Sequence, residues 1–199
     1  MKRLIYFLCL FFIATLFCCC NKKADIKILL EYDGQMSIEH AHPNAQKLLV
    51  DDFYWNSMAE TGPLGNDTGS DAFYGYRAWR RSNLTKSPVE YLNKFYARMS
   101  LQLLDLNELR DSVILEYIDS DNINGNVLVD TDNAAISIGF GQFMLEGKID
   151  QDIKALTKRA ITRERKPILL REFAQGHIAT REKQLEEMAL ILEMMETNP

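Results

Sequence analysis

Apolar residues recur at spacings of three and four along most of the chain, and at spacings of two in one stretch near its N-terminal end. That stretch, residues 25 to 40, alternates Ile26, Ile28, Leu30 and Tyr32, then Met36 and Ile38 after Asp33-Gly34. A period of two is that of half-buried strands, and a loop of Tyr32, Asp33 and Gly34 would set Leu30 opposite Met36 and Ile28 opposite Ile38. The pattern therefore predicts a small β-hairpin. Beyond it the period is helical. A first helix is expected from Pro43, and a second is announced by Ser87 as cap, Pro88 at the first helical position and Glu90 as capping-box partner, with Val89, Leu92, Tyr96 and Met99 on one face.

The stretch from Leu106 to Ile118 reads as a helix, although its Val113-Ile114-Leu115 run also fits a strand. Next comes a buried helix with Thr131 or Asp132 as cap and Ile136, Phe140, Phe143 and Met144 inside, in which Gly139 and Gly141 imply close packing against a neighbour. Gly147 ends it and Asp150 opens another, with Ile153, Leu156 and Ala160 inward, before Pro167 breaks the chain. A last helix carries Leu185, Met188, Leu192 and Met195 on a seam read as core packing. The expected fold is mainly α within the α+β class, a helical domain with a small N-terminal β-hairpin.

Residues 1–23 change the picture. Lys2 and Arg3 precede an uncharged apolar run from Leu4 to Cys20, and Asn21, Lys22 and Lys23 follow it, which is the layout of an export signal. Apart from Cys9, the cysteines are Cys18, Cys19 and Cys20, at the end of the run. Leu16, Phe17, Cys18 and Cys19 resemble a bacterial lipoprotein signal, which implies acylation of Cys19, with Cys18 and Cys20 as alternatives and an uncleaved anchor helix as the other reading. The organisation expected is a lipoprotein-type signal at 1–19, a tether and hairpin at 20–39, and a helical domain at 40–199. The body has no cysteine beyond Cys20, so it relies on packing and not on disulfides.

Composition supports one folded domain: 199 residues, 47% hydrophobic, with a formal charge of -5. A net acidic chain lacks the surplus of cations that phosphate neutralisation requires, so nucleic acid is not an expected partner.

The stretch from Asp51 to Arg81 gathers the candidate chemistry. Asn66, Asp67, Ser70 and Asp71 are hard oxygen donors of the kind calcium takes, but they match no loop template. They read as a turn at Gly65 and Gly69, with Ser70 or Asp71 capping a helix whose Phe73, Tyr76 and Trp79 line the core. Asp119 and Asp130 stand at the ends of a twelve-residue span, as in an EF-hand, but Gly125 and Ile123 do not fit that loop. His40 and His42 lack the convergent partners of a zinc or general-base site and read as ordinary surface or cap histidines. No cofactor motif is present. The basic runs around Arg77, Arg80 and Arg81 and from Lys158 to Lys166 read as solvated helix faces, able to pair with the surplus carboxylates.

The Asp52-Phe53-Tyr54-Trp55 run, the Pro63-to-Asp71 pattern and the segment from Asp132 to Asp150 resemble the uncharacterised bacterial YfeS-like proteins from about His40 onward. Some of those relatives carry a Trp-Gly-Arg domain linked to nucleic-acid proteins; here Asn56 follows Trp55 and Arg80 follows Trp79, so that link is not implied. The resemblance implies a fold neighbourhood and no catalytic residue.

The sequence thus leads to an envelope-anchored binding or interaction protein, facing the periplasm or the exterior, with Trp55, Asn66, Asp67, Asp71 and Arg77 as candidate binding residues. Its partners would be the membrane, through the lipid anchor, and a protein or small-molecule ligand. The rival class is a hydrolase or other cation-dependent enzyme that uses Asp67 and Asp71 with His40 or His42.

Overall fold

The computed structural model describes residues 26–99, 102–174 and 176–198; the signal segment and Cys19 lie outside the described residues. Helical residues 26–31 (α1) and a 3-10 turn, Ile38–His40, lead into α2 (Pro43–Leu48), a second 3-10 turn, Asp52–Tyr54, and α3 (Asp67–Arg80). After these come α4 (Pro88–Met99), α5 (Asp111–Ser120), α6 (Asn124–Glu146), α7 (Gln151–Glu164), α8 (Pro167–Phe173) and α9 (Ile178–Met194). The described residues hold two strands of two residues each, β1 (Ile149–Asp150) and β2 (Thr197–Asn198), paired in parallel with Ile149 opposite Thr197. The fold is mainly α, as the periodicity predicts.

Helix α6 is the axis. Seventeen of its 23 residues are buried, and α2, α3, α4, α5, α7 and α8 all pack against it. Such close approach depends on its glycines: a Cβ on Gly139 would sit 2.1 Å from Thr157 Oγ1, and one on Gly141 2.5 Å from the Phe73 ring. Gly147 closes the helix in the left-handed conformation, φ 68°, a backbone state that favours glycine. The seam of α9 is as expected, with Leu185, Met188, Leu192 and Met195 all buried.

Three expectations are corrected. The N-terminal stretch is not a hairpin: residues 26–31 are helical and 32–37 irregular. Leu30 and Met36 are both buried in the core, and side chains of α3 and of Arg81 at its end satisfy backbone groups that a strand partner would have taken. Arg81 Nε donates to the Leu30 carbonyl at 2.6 Å, Arg77 Nη1 to the Gly34 carbonyl at 3.1 Å, and the Met36 amide donates to the Tyr74 hydroxyl at 3.3 Å. A two-stranded hairpin without a third strand is marginal, so these contacts decide the conformation.

Helix α6 also starts earlier than expected. Thr131 and Asp132 lie in mid-helix and are buried, Thr131 bonding back to the Leu128 carbonyl at 2.8 Å and Asp132 pairing with Arg163. The span from Asp119 to Asp130 is accordingly helix α5, a short connection and helix α6, with no calcium-type loop.

The basic runs are not wholly solvated. Arg77, Arg80 and Arg163 are buried. Arg80 grips both oxygens of Glu146, at 2.7 and 2.8 Å, and Tyr76 donates to the same carboxylate at 3.0 Å. Arg163 forks onto Asp132, with Nε to Oδ2 at 2.9 Å, and its Nη1 reaches the Glu108 carbonyl at 3.1 Å. These pairs join α3 and α7 to α6 by bidentate geometry, which leaves few of the buried guanidinium donors unmet.

Candidate functional site

Asn66, and neither Ser70 nor Asp71, caps α3. Its Oδ1 accepts from the Gly69 amide at 2.7 Å while its Nδ2 donates to the Gly62 carbonyl at 3.2 Å. The helix therefore begins at Asp67, and Gly69, read from sequence as part of a turn, belongs to its first turn. A Cβ there would meet the Pro63 carbonyl at 2.6 Å, and Ser137 of α6 donates to the Gly69 carbonyl at 2.5 Å. The glycine lets the helix start against α6. Thr68 strengthens the joint by donating to Asp130 Oδ1 at 2.8 Å.

This junction forms one wall of a cavity of about 580 Å3. Asn66, Asp67 and Thr68 line it from α3, Val129, Asp130 and Asn133 from α6, and Ser57, Met58, Glu60 and Thr61 from the preceding loop. The far side is Glu164 at the end of α7, Leu169 and Leu170 of α8, Ala174, and His177 and Arg181 at the start of α9. Met58, Glu60, Asp67 and His177 are exposed and form the mouth; Glu164, Leu169, Leu170 and Arg181 are buried and form the floor.

Arg181 organises that floor. Its Nη2 donates to Glu164 Oε2 at 3.3 Å and to Asn133 Oδ1 at 3.1 Å, and its Nη1 to the Thr61 carbonyl at 2.5 Å. One residue thus ties α9 to α7, α6 and the loop. The other oxygen of Glu164, Oε1, is buried with no hydrogen-bond partner. Burial pushes the Glu164 carboxyl above its ordinary range against the pull of Arg181, and Asp130 pushes it further in the same direction.

Of the candidate residues, Asn66 and Asp67 line this cavity. Trp55 is a core residue whose indole N–H donates to the Leu49 carbonyl at 2.8 Å. Arg77 lies over the Tyr74 ring, 4.9 Å from its centroid, and holds Gly34. Asp71 is exposed one helical turn beyond Asp67 and does not line the cavity. His40 stacks on Tyr32, with ring centroids 4.0 Å apart, and His42 caps α2 by accepting from the Asn44 amide at 3.2 Å; neither lines the cavity.

The aromatics of the stretch belong to the core, as expected: Phe53, Tyr54, Trp55, Phe73 and Tyr76 share one buried cluster, with Trp79 packed against it. Tyr54 stacks on Phe140 while Tyr76, Trp79 and Tyr91 contact one another, and Trp79 is only half-buried. Asp130, Glu164, Arg181 and His177 are the site residues that sequence reasoning did not assign to the site. For Arg181 a signal existed, since it stands one turn before Leu185 on the seam that continues through Met188 and Leu192.

Among the described residues there is no group of three or more His, Cys, Asp or Glu side chains placed to hold a metal ion, and no helix long and apolar enough to cross a membrane. In comparisons with protein-family models, curated proteins and solved structures, nothing matches the chain.

Proposed function

We propose that the protein is an envelope-anchored binding protein, held at a bacterial membrane through acylated Cys19, whose ligand occupies the cavity between the start of α3 and the start of α9. The observation that carries this reading is the cavity itself: it falls within the roughly 300–1,000 Å3 of small-molecule sites, and its lining combines apolar side chains with a few polar and charged groups. A buried carboxylate oxygen without a partner is costly in a finished core and is expected where a ligand supplies the missing donor.

A hydrolase built on Asp67, Asp71 and His40 or His42 has only Asp67 at this cavity, so binding is the reading the geometry supports better. The YfeS-like kinship belongs to the same proposal and adds no activity to it. The acidic balance of the chain favours a ligand other than nucleic acid.

The test fills the cavity. Val129 lines it and is half-buried, so Val129→Phe places a ring in the space a ligand would occupy. Full-length protein in detergent is incubated with a small-molecule extract of envelope and medium, washed, and its retained compounds identified by mass spectrometry. The wild type retains a compound that V129F loses. Equal retention by both proteins, or none by either, overturns the proposal.

A further inference from the structure

We infer that the cavity takes a primary ammonium group carried on a short aliphatic chain, with Glu164 as its buried counter-ion and Asp130 beside it. This rests on the cavity being the ligand site and names the class of ligand.

Charge is the first argument. Four carboxylates, Glu60, Asp67, Asp130 and Glu164, line the cavity against one arginine. The positive ends of α3 and α9 point the other way, but a helix N-terminus amounts to about half an elementary charge. Two of them therefore leave the site negative. Arg181 is buried and directs three of its five N–H donors to Glu164, Asn133 and Thr61, so its charge is already engaged by Glu164.

The second argument is the orphaned acceptor. Glu164 is 5% exposed and lines the cavity, and its Oε1 is without a partner. What is missing there is a donor. Burial leaves this carboxyl unusually ready to hold a proton, and a cationic donor at Oε1 would favour its ionised form and complete its hydrogen bonding at once. Asp130, whose field also reaches Glu164, accepts from Thr68 through Oδ1, and its negative charge adds to the pull on a cation in the cavity.

Shape supplies the third. Besides these carboxylates the cavity is lined by the apolar side chains of Leu169, Leu170, Val129 and Ala174. A compact ammonium on a methylene stem matches a point of negative charge beside an aliphatic wall, whereas a wide planar guanidinium requires two acceptors in a plane.

Isothermal titration of the full-length protein in detergent with three probes of equal chain length tests this: cadaverine, 1,5-pentanediol and glutarate. Cadaverine alone is expected to bind, and both Glu164→Gln and Asp130→Asn to weaken it about tenfold or more at unchanged V129F sensitivity. The second variant guards against loss of folding in the first, because the carbonyl oxygen of the amide introduced by D130N can still accept from Thr68. Nα-acetyl-lysine amide, titrated in parallel, distinguishes a free diamine from a lysine borne by a protein: tighter binding than cadaverine assigns the ammonium to a partner chain, weaker binding to a free amine.

Absence of cadaverine binding, or binding that neither E164Q nor D130N weakens, overturns the inference. Binding of glutarate or the diol that V129F abolishes overturns the ligand class alone and leaves the cavity as the site. Failure of the retention experiment with V129F removes the site as well.

Discussion

Arg181 bonds one oxygen of Glu164, at 3.3 Å, and leaves the other without a partner, although both side chains are more than nine-tenths buried. Removing one member of such a pair leaves an uncompensated charge in the interior. Arg181→Ala is expected to cost about 3–5 kcal/mol of stability, read from chemical denaturation, whereas Arg181→Met combined with Glu164→Leu should recover most of that loss. If the double variant is no more stable than the single one, the pair is not the determinant of the floor.

The second buried pair predicts a pH dependence. Burial pushes Asp132 up to about 7 against the pull of Arg163, with Glu164 raising it and Arg181 lowering it from across the interior. An acid whose pKa is higher folded than unfolded holds more protons in the folded state. Its contribution is therefore fully present below its unfolded value of 3.8 and is lost as pH rises through about 7. Glu164 shifts in the same direction and adds to the same slope. Glu108, held down to about 2 chiefly by its hydrogen bond with Arg110, has the opposite sign but acts only below its ordinary value of 4.5. Melting temperature should fall between about pH 5 and pH 8, and Asp132→Asn should flatten the fall. A slope unchanged by D132N contradicts this assignment.

At the start of α3 the structure separates two residues that the sequence treats alike. Asn66→Ala removes the cap and is expected to cost about 0.5–2 kcal/mol. Asp71→Ala, at an exposed position inside the helix, should stay within about 0.5 kcal/mol of wild type. The reverse order, by urea denaturation, would put the cap where the sequence suggested it.

For the anchor the expected outcome is a change of compartment. Replacing Cys18, Cys19 and Cys20 together with serine should move the chain from the membrane pellet to the aqueous fraction. Retention in the pellet by the triple variant would identify the apolar run as an uncleaved anchor helix.

The parts of the fold that were legible in the sequence are those written locally. Ser87 and Pro88 mark the start of α4, and the Ser87 hydroxyl accepts from the Val89 amide at 3.0 Å; Gly139 and Gly141 mark close packing, and the seam from Leu185 to Met195 marks a buried face. The N-terminal stretch misleads because alternation in a short apolar segment fits a strand or a docked irregular chain, and Arg77 and Arg81, over forty residues away, select the second. The candidate site was half legible. Asn66 and Asp67 stand out in a polar run, but Asp130, Glu164 and Arg181 come from three other helices, and Glu164 lies in a run that reads as a solvated charged face. Arg163 shows how such a reading fails: it continues the inward stripe of Ile153, Thr157 and Ala160, and buries its charge on Asp132.

Backbone amide hydrogen exchange of the full-length protein, with and without the compound it retains, tests the central claim most directly. The account predicts slowed exchange concentrated at residues 57–68 and at the start of α9 around Arg181, with V129F abolishing the change. Slowing centred instead on residues 32–42, where Tyr32 stacks on His40, with no change around the cavity, would contradict it.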